Sequence, residues 1–283
     1  MDIKKPFVVG AGIMGSGIGQ LCSQQGYEVT VVDISEDIIG RARSKVSAGL
    51  SRRVEKGKIT QEEMDSVLSR IKWSTDLNLA GDSDFVVEAV SEEVGVKKDI
   101  FEKLDSICQP ETILTTNTTA LSVSEIASAT SRPEKIIGMH FFNPAVIMKL
   151  VEIIRGEKTS DETVQTTKMF AEKLGKIPIA TFKEAPAGIV SRVLASLLNE
   201  AAIVYDNGVA SAQDIDEAMK LGAGLPMGPL ALIDMIGLDI HLSKMETLYA
   251  KLKDERYKPP EIIKKMVEEG KLGKKTGEGF YKY

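Results

Sequence analysis

Cysteine is almost missing from this sequence: Cys22 and Cys108 are the only two in 283 residues. Two thiols make no disulfide framework. One falls inside a helical pattern and the other just before Pro110-Glu111, so neither spacing suggests a metal site. Both are read as reduced and structural, and no metal is expected. Histidine is as scarce, with only His140 and His241. Positive charge is outweighed, 36 Lys and Arg against 41 Asp and Glu, for a net charge of −5. With no cationic surplus to neutralise phosphates, a nucleic-acid partner is not expected. No apolar run approaches the ~20 residues that cross a bilayer, so a membrane span is not expected. Met1-Asp2-Ile3-Lys4-Lys5 is not followed by the apolar segment of a secretory leader. What is present, 43% hydrophobic and 27% charged residues, is ordinary for a globular chain of one or two domains. A cytoplasmic protein is the expectation.

The most informative stretch runs from Phe7 to Asp33. A short apolar run, Phe7-Val8-Val9, meets Gly10-Ala11-Gly12-Ile13-Met14-Gly15, then a helical pattern that stops near Gly26. A second β-branched run, Val29-Thr30-Val31-Val32, ends on Asp33. Strand, glycine turn, helix, strand and acid follow in the order a dinucleotide site requires. Gly10 permits the sharp exit from the strand, Gly12 lets backbone approach a pyrophosphate, and Gly15 lets the helix pack on the sheet. The helix N-terminus offers N–H groups and a positive dipole end to phosphates. Asp33 is placed to accept the adenosine ribose hydroxyls, and its charge would repel a 2′-phosphate, which favours NAD over NADP. The competing reading is a plain βαβ unit whose glycines only serve packing.

The pattern beyond Asp33 keeps alternating. Ser35-Glu36-Asp37 opens a long helix through Leu50, whose far end, Ser51 to Lys58, is basic: either a solvated face or a contact for an anionic ligand. Thr60 with Glu63 reads as a capping box for a helix to Ser69. Strands are expected at 84–90, 113–117, 136–140, 149–154 and 177–182, with helices at 96–107, 124–128 and 160–174 between them. The fold expected is a Rossmann-type, doubly wound, mostly parallel sheet. Residues 183–188 read as a linker, and beyond them only helical periodicity remains: five helices, among them one capped by Ser211 and one opened by Pro229. The domains are therefore drawn at 1–184 for the dinucleotide-binding part and 185–283 for an all-helical C-terminal part. The apolar faces of those five helices exceed what they can hide among themselves, which points to a dimer.

In such sheets ligands bind at the carboxyl ends of the strands. Gly10–Gly15, Asp33, Glu92, Thr119 and His140 all fall at that edge. Phe141-Phe142-Asn143-Pro144 can reverse the chain, so Glu152 on the next strand comes within reach of His140, since neighbouring strands lie about 4.8 Å apart. An imidazole held by a carboxylate can take or give a proton near neutral pH, as hydride exchange with an alcohol requires. His241, on a helix of the second part, is read as structural.

Four segments now give a resemblance covering essentially the whole chain: Gly10 to Ile18, Gly138-Met139-His140-Phe141-Phe142-Asn143-Pro144, Met227-Gly228-Pro229-Leu230, and Gly273 to Tyr281. They resemble the L-3-hydroxyacyl-CoA dehydrogenases, the short bacterial 3-hydroxybutyryl-CoA dehydrogenases in particular. The resemblance implies NAD-dependent interconversion of (S)-3-hydroxyacyl-CoA, such as 3-hydroxybutyryl-CoA, and 3-oxoacyl-CoA, such as acetoacetyl-CoA, by a homodimer. It implies His140 as catalytic base and Glu152 as its partner. Gly10, Gly12, Ile13, Met14, Gly15, Asp33, Glu92, Lys97, Thr119 and Asn143 would meet NAD; Ser51, Lys58, Thr119, Asn143 and Ser191 would meet the acyl-CoA. Two segments depart from the family's pattern. Its Asn-Thr-Ser-Ser is here Asn117-Thr118-Thr119-Ala120, which keeps a hydroxyl at Thr119. Its Pro-Gly-Phe-x-x-Asn-Arg is here Pro186-Ala187-Gly188-Ile189-Val190-Ser191-Arg192, so Ser191 replaces an active-site Asn. A lost contact of that kind costs about 1–3 kcal/mol, ten- to a hundredfold or so in rate. An unusual acyl chain, a water in the gap or a slow enzyme are the alternatives. Two other readings are a catalytically silent NAD-binding protein and a dehydrogenase of free hydroxy acids. Retention of His140, Glu152 and Asn143 speaks against the first, and the Ser51 and Lys58 match against the second.

Overall fold

Short β-branched runs separated by helical segments build an eight-stranded sheet in the computed structural model, which describes residues 2–283. The strands are β1 (Pro6–Val9), β2 (Val29–Val32), β3 (Ile71–Ser74), β4 (Phe85–Glu88), β5 (Ile113–Thr116), β6 (Ile136–Phe141), β7 (Leu150–Ile154) and β8 (Ile177–Ala180). Their order is β3-β2-β1-β4-β5-β6-β7-β8. The first six run parallel; β7 turns antiparallel to β6, and β8 follows β7 in parallel. The doubly wound, mostly parallel sheet expected from the sequence is thus present.

Both faces of this sheet are covered. Alternate residues of a strand point to opposite faces, and the core divides accordingly. Val8, Val31, Phe85 and Val87 join one apolar cluster with α1 (Ile13–Gln24), α2 (Glu36–Glu55), α3 (Gln61–Ser69) and α6 (Asp161–Lys173). Phe7, Val9, Val32 and Val86 join another with α4 (Val94–Ile107) and α5 (Val123–Ala127). Ser35, Thr60 and Ser160 cap α2, α3 and α6 through their side-chain oxygens, and the capping box of Thr60 and Glu63 is complete.

The sequence pattern misses β3. It is four residues long at the sheet edge and only Ile71 is buried, so it carries no continuous apolar run. A 3-10 segment, Leu77–Asp82, follows it.

The chain forms two compact units, the first ending at Gly188 and the second spanning Ile189–Tyr283. The second holds α7 (Val190–Asp206), α8 (Ala212–Ala223), α9 (Pro229–Ile236), α10 (Leu238–Leu252) and α11 (Glu261–Glu268) around Leu198, Ala202, Leu230, Ile233, Leu238 and Ile263. Ser211 caps α8, and Pro229 stands in the first turn of α9. One feature escapes the helical reading. Isolated β-bridges, Gly273↔Glu278 and Glu278↔Lys282, curl the C-terminal segment, which two buried carboxylates hold. Asp234 accepts from the Phe280 and Tyr281 N–H groups, both at 2.9 Å, and Asp216 from the Tyr281 hydroxyl at 2.7 Å.

Candidate active site

The glycine turn leaves β1 with Gly10 at φ +100°, and a Cβ there would stand 2.6 Å from the Ala89 carbonyl oxygen. Only glycine suits that backbone. Gly15 lets α1 approach so closely that a side chain would run into the Gly10 carbonyl. Gly12 is different: nothing lies within 4 Å of where its Cβ would be, and it caps α1 with no side-chain bond. The space a side chain would fill and the uncapped helix end make a cradle for an anionic group. Asp33, at the carboxyl end of β2, is fixed by the Ala11 N–H at 2.7 Å and the Ile34 N–H at 2.8 Å.

Gly10, Gly12 and Asp33 line a groove of about 780 Å³. Gly10, Gly12, Ile13 and Met14 form one wall. Ile34, Ile38, Leu77, Val96 and Ile100 form an apolar slot past Asp33, and Glu92, Asn117 and Thr119 close the far end. The apolar slot suits a flat heteroaromatic base, Asp33 a diol, and the cradle at Gly12 a diphosphate. The residues present therefore fit a dinucleotide.

At the far end one carboxylate oxygen organises a loop. Glu92 Oε1 accepts from the Thr118 hydroxyl at 2.6 Å, the Thr119 N–H at 2.8 Å and the Ala120 N–H at 3.0 Å. Lys97, expected from the resemblance to meet the cofactor, is instead wholly buried. Its ammonium donates to Glu88 Oε1 at 2.7 Å and to the Asn117 carbonyl at 3.4 Å, and stands 3.8 Å from Glu92 Oε2. Glu88 is completed by the Thr116 hydroxyl at 2.6 Å and the Val90 N–H at 2.7 Å. Here Lys97 supports the floor under Glu92, and a buried Lys is retained because its charge is paired. Sequence reasoning passed over Glu88 and Asn117. The signal for Glu88 was an acid inside the apolar run Phe85 to Val90. Asn117 Oδ1 accepts the Phe141 N–H at 2.9 Å and so ties β5 to β6.

His140 lies within β6 rather than just past it, directly opposite Glu152 in the antiparallel ladder. Both are buried, 6% and 1% exposed, and His140 Nδ1 is 3.0 Å from Glu152 Oε2. Because a carboxylate only accepts, Nδ1 carries the proton and Nε2 is left to exchange one. Nε2 stands 3.3 Å from the Thr119 hydroxyl, which itself lines the groove. The Phe142 ring packs on the imidazole at 4.5 Å between centroids.

Asn143 is exposed in the connection from β6 to β7. That connection is pinned by buried Lys176, which donates to the Ala145 carbonyl at 2.6 Å and the Met148 carbonyl at 2.8 Å; burial holds the Lys176 pKa below its usual value. Ser51 lies on α2, its hydroxyl donating to the Ser47 carbonyl at 3.0 Å, and Lys58 is exposed just beyond that helix. Ser191 is in the first turn of α7, in the second unit. His241 is 2% exposed and its Nε2 has no partner. Among the described residues no group of His, Cys, Asp and Glu could hold a metal ion, and no helix is long and apolar enough to cross a membrane.

A doubly wound sheet whose dinucleotide groove ends beside a buried imidazole–carboxylate pair defines a nicotinamide-dependent oxidoreductase. Family comparison refines this. Residues 6–185 match the 3-hydroxyacyl-CoA dehydrogenase NAD binding domain, and residues 189–283 match the 3-hydroxyacyl-CoA dehydrogenase C-terminal domain. A probable 3-hydroxybutyryl-CoA dehydrogenase of Bacillus subtilis is 46% identical over 283 residues, covering 100% of this chain and 98% of the relative. A 3-hydroxybutyryl-CoA dehydrogenase of Clostridioides difficile is 44% identical over 276 residues, covering 98% of each. The crystal structure of (S)-3-hydroxybutyryl-CoA dehydrogenase from Ralstonia eutropha superposes with a TM-score of 0.96 at 43% identity, covering 100% of this chain and 99% of that one. The chain belongs to the 3-hydroxyacyl-CoA dehydrogenase family, with NAD as its cofactor and 3-hydroxyacyl-CoA as its substrate class.

Proposed function

We propose that the chain catalyses the reversible oxidation of a short-chain (S)-3-hydroxyacyl-CoA, 3-hydroxybutyryl-CoA foremost, to the 3-oxoacyl-CoA, with His140 as general acid and base. The observation that carries this is the His140–Glu152 pair, set across one rung of the ladder with Nε2 turned toward Thr119 at the groove. The nicotinamide, when bound, supplies the hydride acceptor or donor. In the oxidation direction Nε2 takes the hydroxyl proton of the substrate, and the Glu152 carboxylate, accepting from Nδ1–H, stabilises the imidazolium that forms. In reduction the same nitrogen returns a proton to the developing alkoxide. Thr119 donates its hydroxyl hydrogen to the substrate oxygen. Burial of the pair keeps water from competing for that proton.

Gly10, Gly12, Ile13, Met14, Gly15 and Asp33 hold the adenosine and diphosphate portion, and Glu92, Thr119 and Asn143 border the nicotinamide. Lys97 supports Glu92. Lys58 and Ser51 meet the CoA moiety, the cationic Lys58 answering a phosphate. Ser191 meets the acyl-CoA. The first unit, drawn at 1–184 from the sequence and reaching Gly188 in the structure, binds the cofactor, and the helical unit, drawn at 185–283, serves dimerisation. Exposed Val193, Val209, Leu221 and Met235 support a homodimer through the helical unit, and the bacterial relatives support a cytoplasmic location.

Steady-state kinetics with 3-oxoacyl-CoA substrates of four to ten carbons, each with NADH and NADPH, test the reading. Turnover is expected to be highest with acetoacetyl-CoA and NADH, and His140→Ala is expected to lower kcat by roughly 10²–10⁴-fold. Turnover that survives His140→Ala unchanged would remove the proposed base.

A further inference from the structure

Lys97 has two carboxylates near it and commits itself to one. Its ammonium sits 2.7 Å from Glu88 Oε1 but 3.8 Å from Glu92 Oε2, beyond hydrogen-bond distance, and donates also to the Asn117 carbonyl at 3.4 Å. Glu88 ends β4, in register with Val9 of β1 and Thr116 of β5, and is wholly buried. Both its oxygens accept: Oε1 from Lys97 and the Val90 N–H, Oε2 from the Thr116 hydroxyl. The buried pair is therefore closed on itself. Glu92 is the third member, and its side chain is 41% exposed. Two carboxylates against one ammonium leave one negative charge uncompensated, and Glu92 presents it to the groove.

That charge has a definite place along the cofactor. Asp33 suits the adenosine end of the groove and Gly12 the diphosphate, which leaves Glu92, Asn117 and Thr119 at the far end for the nicotinamide. The Thr119 hydroxyl, 3.3 Å from His140 Nε2, marks the same spot from the reacting side. An oxidised nicotinamide ring is cationic and a reduced one is neutral, while the rest of the dinucleotide is unchanged. A fixed negative charge beside the ring therefore stabilises one form only. The other ionised groups lining the groove are Asp33 and Lys103, on the next turn of α4 after Ile100. Both meet the adenosine portion, which is the same in the two forms. Glu152 is engaged with His140 Nδ1, on the side of the ring away from Thr119.

We infer that Glu92, left uncompensated by the Glu88–Lys97 pair, raises the affinity for oxidised cofactor without raising that for reduced cofactor. Buried Glu88 is then a specificity-determining residue that acts from outside the groove, by holding the Lys97 charge. The inference rests on the placing of Glu92 beside the nicotinamide. Tighter binding of the oxidised form makes bound NADH the stronger hydride donor by the same factor, because the two affinities and the potential of the bound couple are linked. The enzyme-bound equilibrium is thereby tilted toward the 3-hydroxyacyl-CoA. A pair that only braced the floor under Glu92 would act on both cofactor forms alike.

Calorimetric titration with NAD+ and with NADH, no acyl-CoA present, tests this. Glu92→Gln keeps an acceptor oxygen for the 118–120 loop and removes the charge. It is expected to raise the Kd for NAD+ about tenfold and to leave that for NADH within about twofold. Glu88 lines no part of the groove, yet Glu88→Gln frees Lys97 to offset Glu92. It is expected to shift the ratio of the two constants in the same direction, by about threefold or more. Glu88→Gln combined with Lys97→Met removes opposite charges together, a change that buried ion pairs tolerate, and leaves the Glu92 charge in place; the parent ratio is expected to return within about twofold. This double variant decides the matter even if Glu88→Gln alone does not fold. Equal weakening of both forms in Glu92→Gln, an unshifted ratio in Glu88→Gln, or a shifted ratio in the double variant would each overturn the inference. A parent that binds both forms but does not turn over acetoacetyl-CoA would instead count against the proposed reaction and leave the ratio result standing.

Discussion

A hydroxyl decides more at Thr119 than the residue's size suggests. Its N–H is tied to Glu92, its side chain faces both the groove and His140 Nε2, and it is half-buried. Replacing the oxygen with a methyl of similar volume isolates the hydrogen bond from the packing. Thr119→Val is therefore expected to lower kcat about ten- to a hundredfold, worth roughly 1.4–2.7 kcal/mol, and to leave the NADH dissociation constant within about twofold. Stopped-flow turnover with fluorescence titration of NADH checks both halves; an unchanged kcat would take the hydroxyl out of the reaction. The residues behind this were unequally visible in the sequence. His140 and Glu152 could be paired on paper because two adjacent strands and a reversing loop leave few geometries. Glu92 and Thr119 could be placed at the ligand edge. That Lys97 turns inward to Glu88 could not, since a Lys on a helix reads as solvated until the partner beneath it is known.

Helices and turns carry their own ledger of polar groups. The start of α9 is held by Asp216 of α8, which accepts from the Leu230 N–H at 2.8 Å, the Ala231 N–H at 2.9 Å and the Tyr281 hydroxyl. Asp216 is 5% exposed, and a side chain on Gly228 would collide with it. Asp216→Ala leaves the Leu230 and Ala231 N–H groups without their acceptor, while the Tyr281 hydroxyl keeps the Ala212 carbonyl, and is expected to destabilise the helical unit by about 2–4 kcal/mol. Urea unfolding followed by circular dichroism reads it; a loss under about 0.5 kcal/mol would mean water replaces the carboxylate at no cost. Caps made by neighbouring residues, such as Ser35, Thr60, Ser160 and Ser211, were legible because their partners lie two or three positions on. Asp216 and Asp234 cap across 14 to 47 positions, and nothing local in the sequence announces them.

At the scale of the whole molecule, acid stability should turn on a histidine outside the chemistry. Burial, with a smaller contribution from Lys244, pushes the His241 pKa from 6.5 down to about 4. The folded state keeps this imidazole neutral while the unfolded chain protonates it near its ordinary value. The unfolded state therefore binds more protons between about pH 6.5 and 4, and stability falls across that window as pH is lowered. From pH 7 to pH 5 the loss from this group is about 2 kcal/mol. In His241→Leu that part of the loss should disappear, and urea midpoints measured at the two pH values compare the proteins. Parallel losses would clear His241. The reacting pair is held in another manner. His140 and Glu152 are neighbours on adjoining strands, and the backbone bonds of β6 and β7 set their separation. The eight residues that join those strands in sequence, 142–149, bear no part of that spacing. The chemistry is secured by the sheet's own lattice, while the intervening loop is fastened on its own account, by the Lys176 ammonium on the Ala145 and Met148 carbonyls.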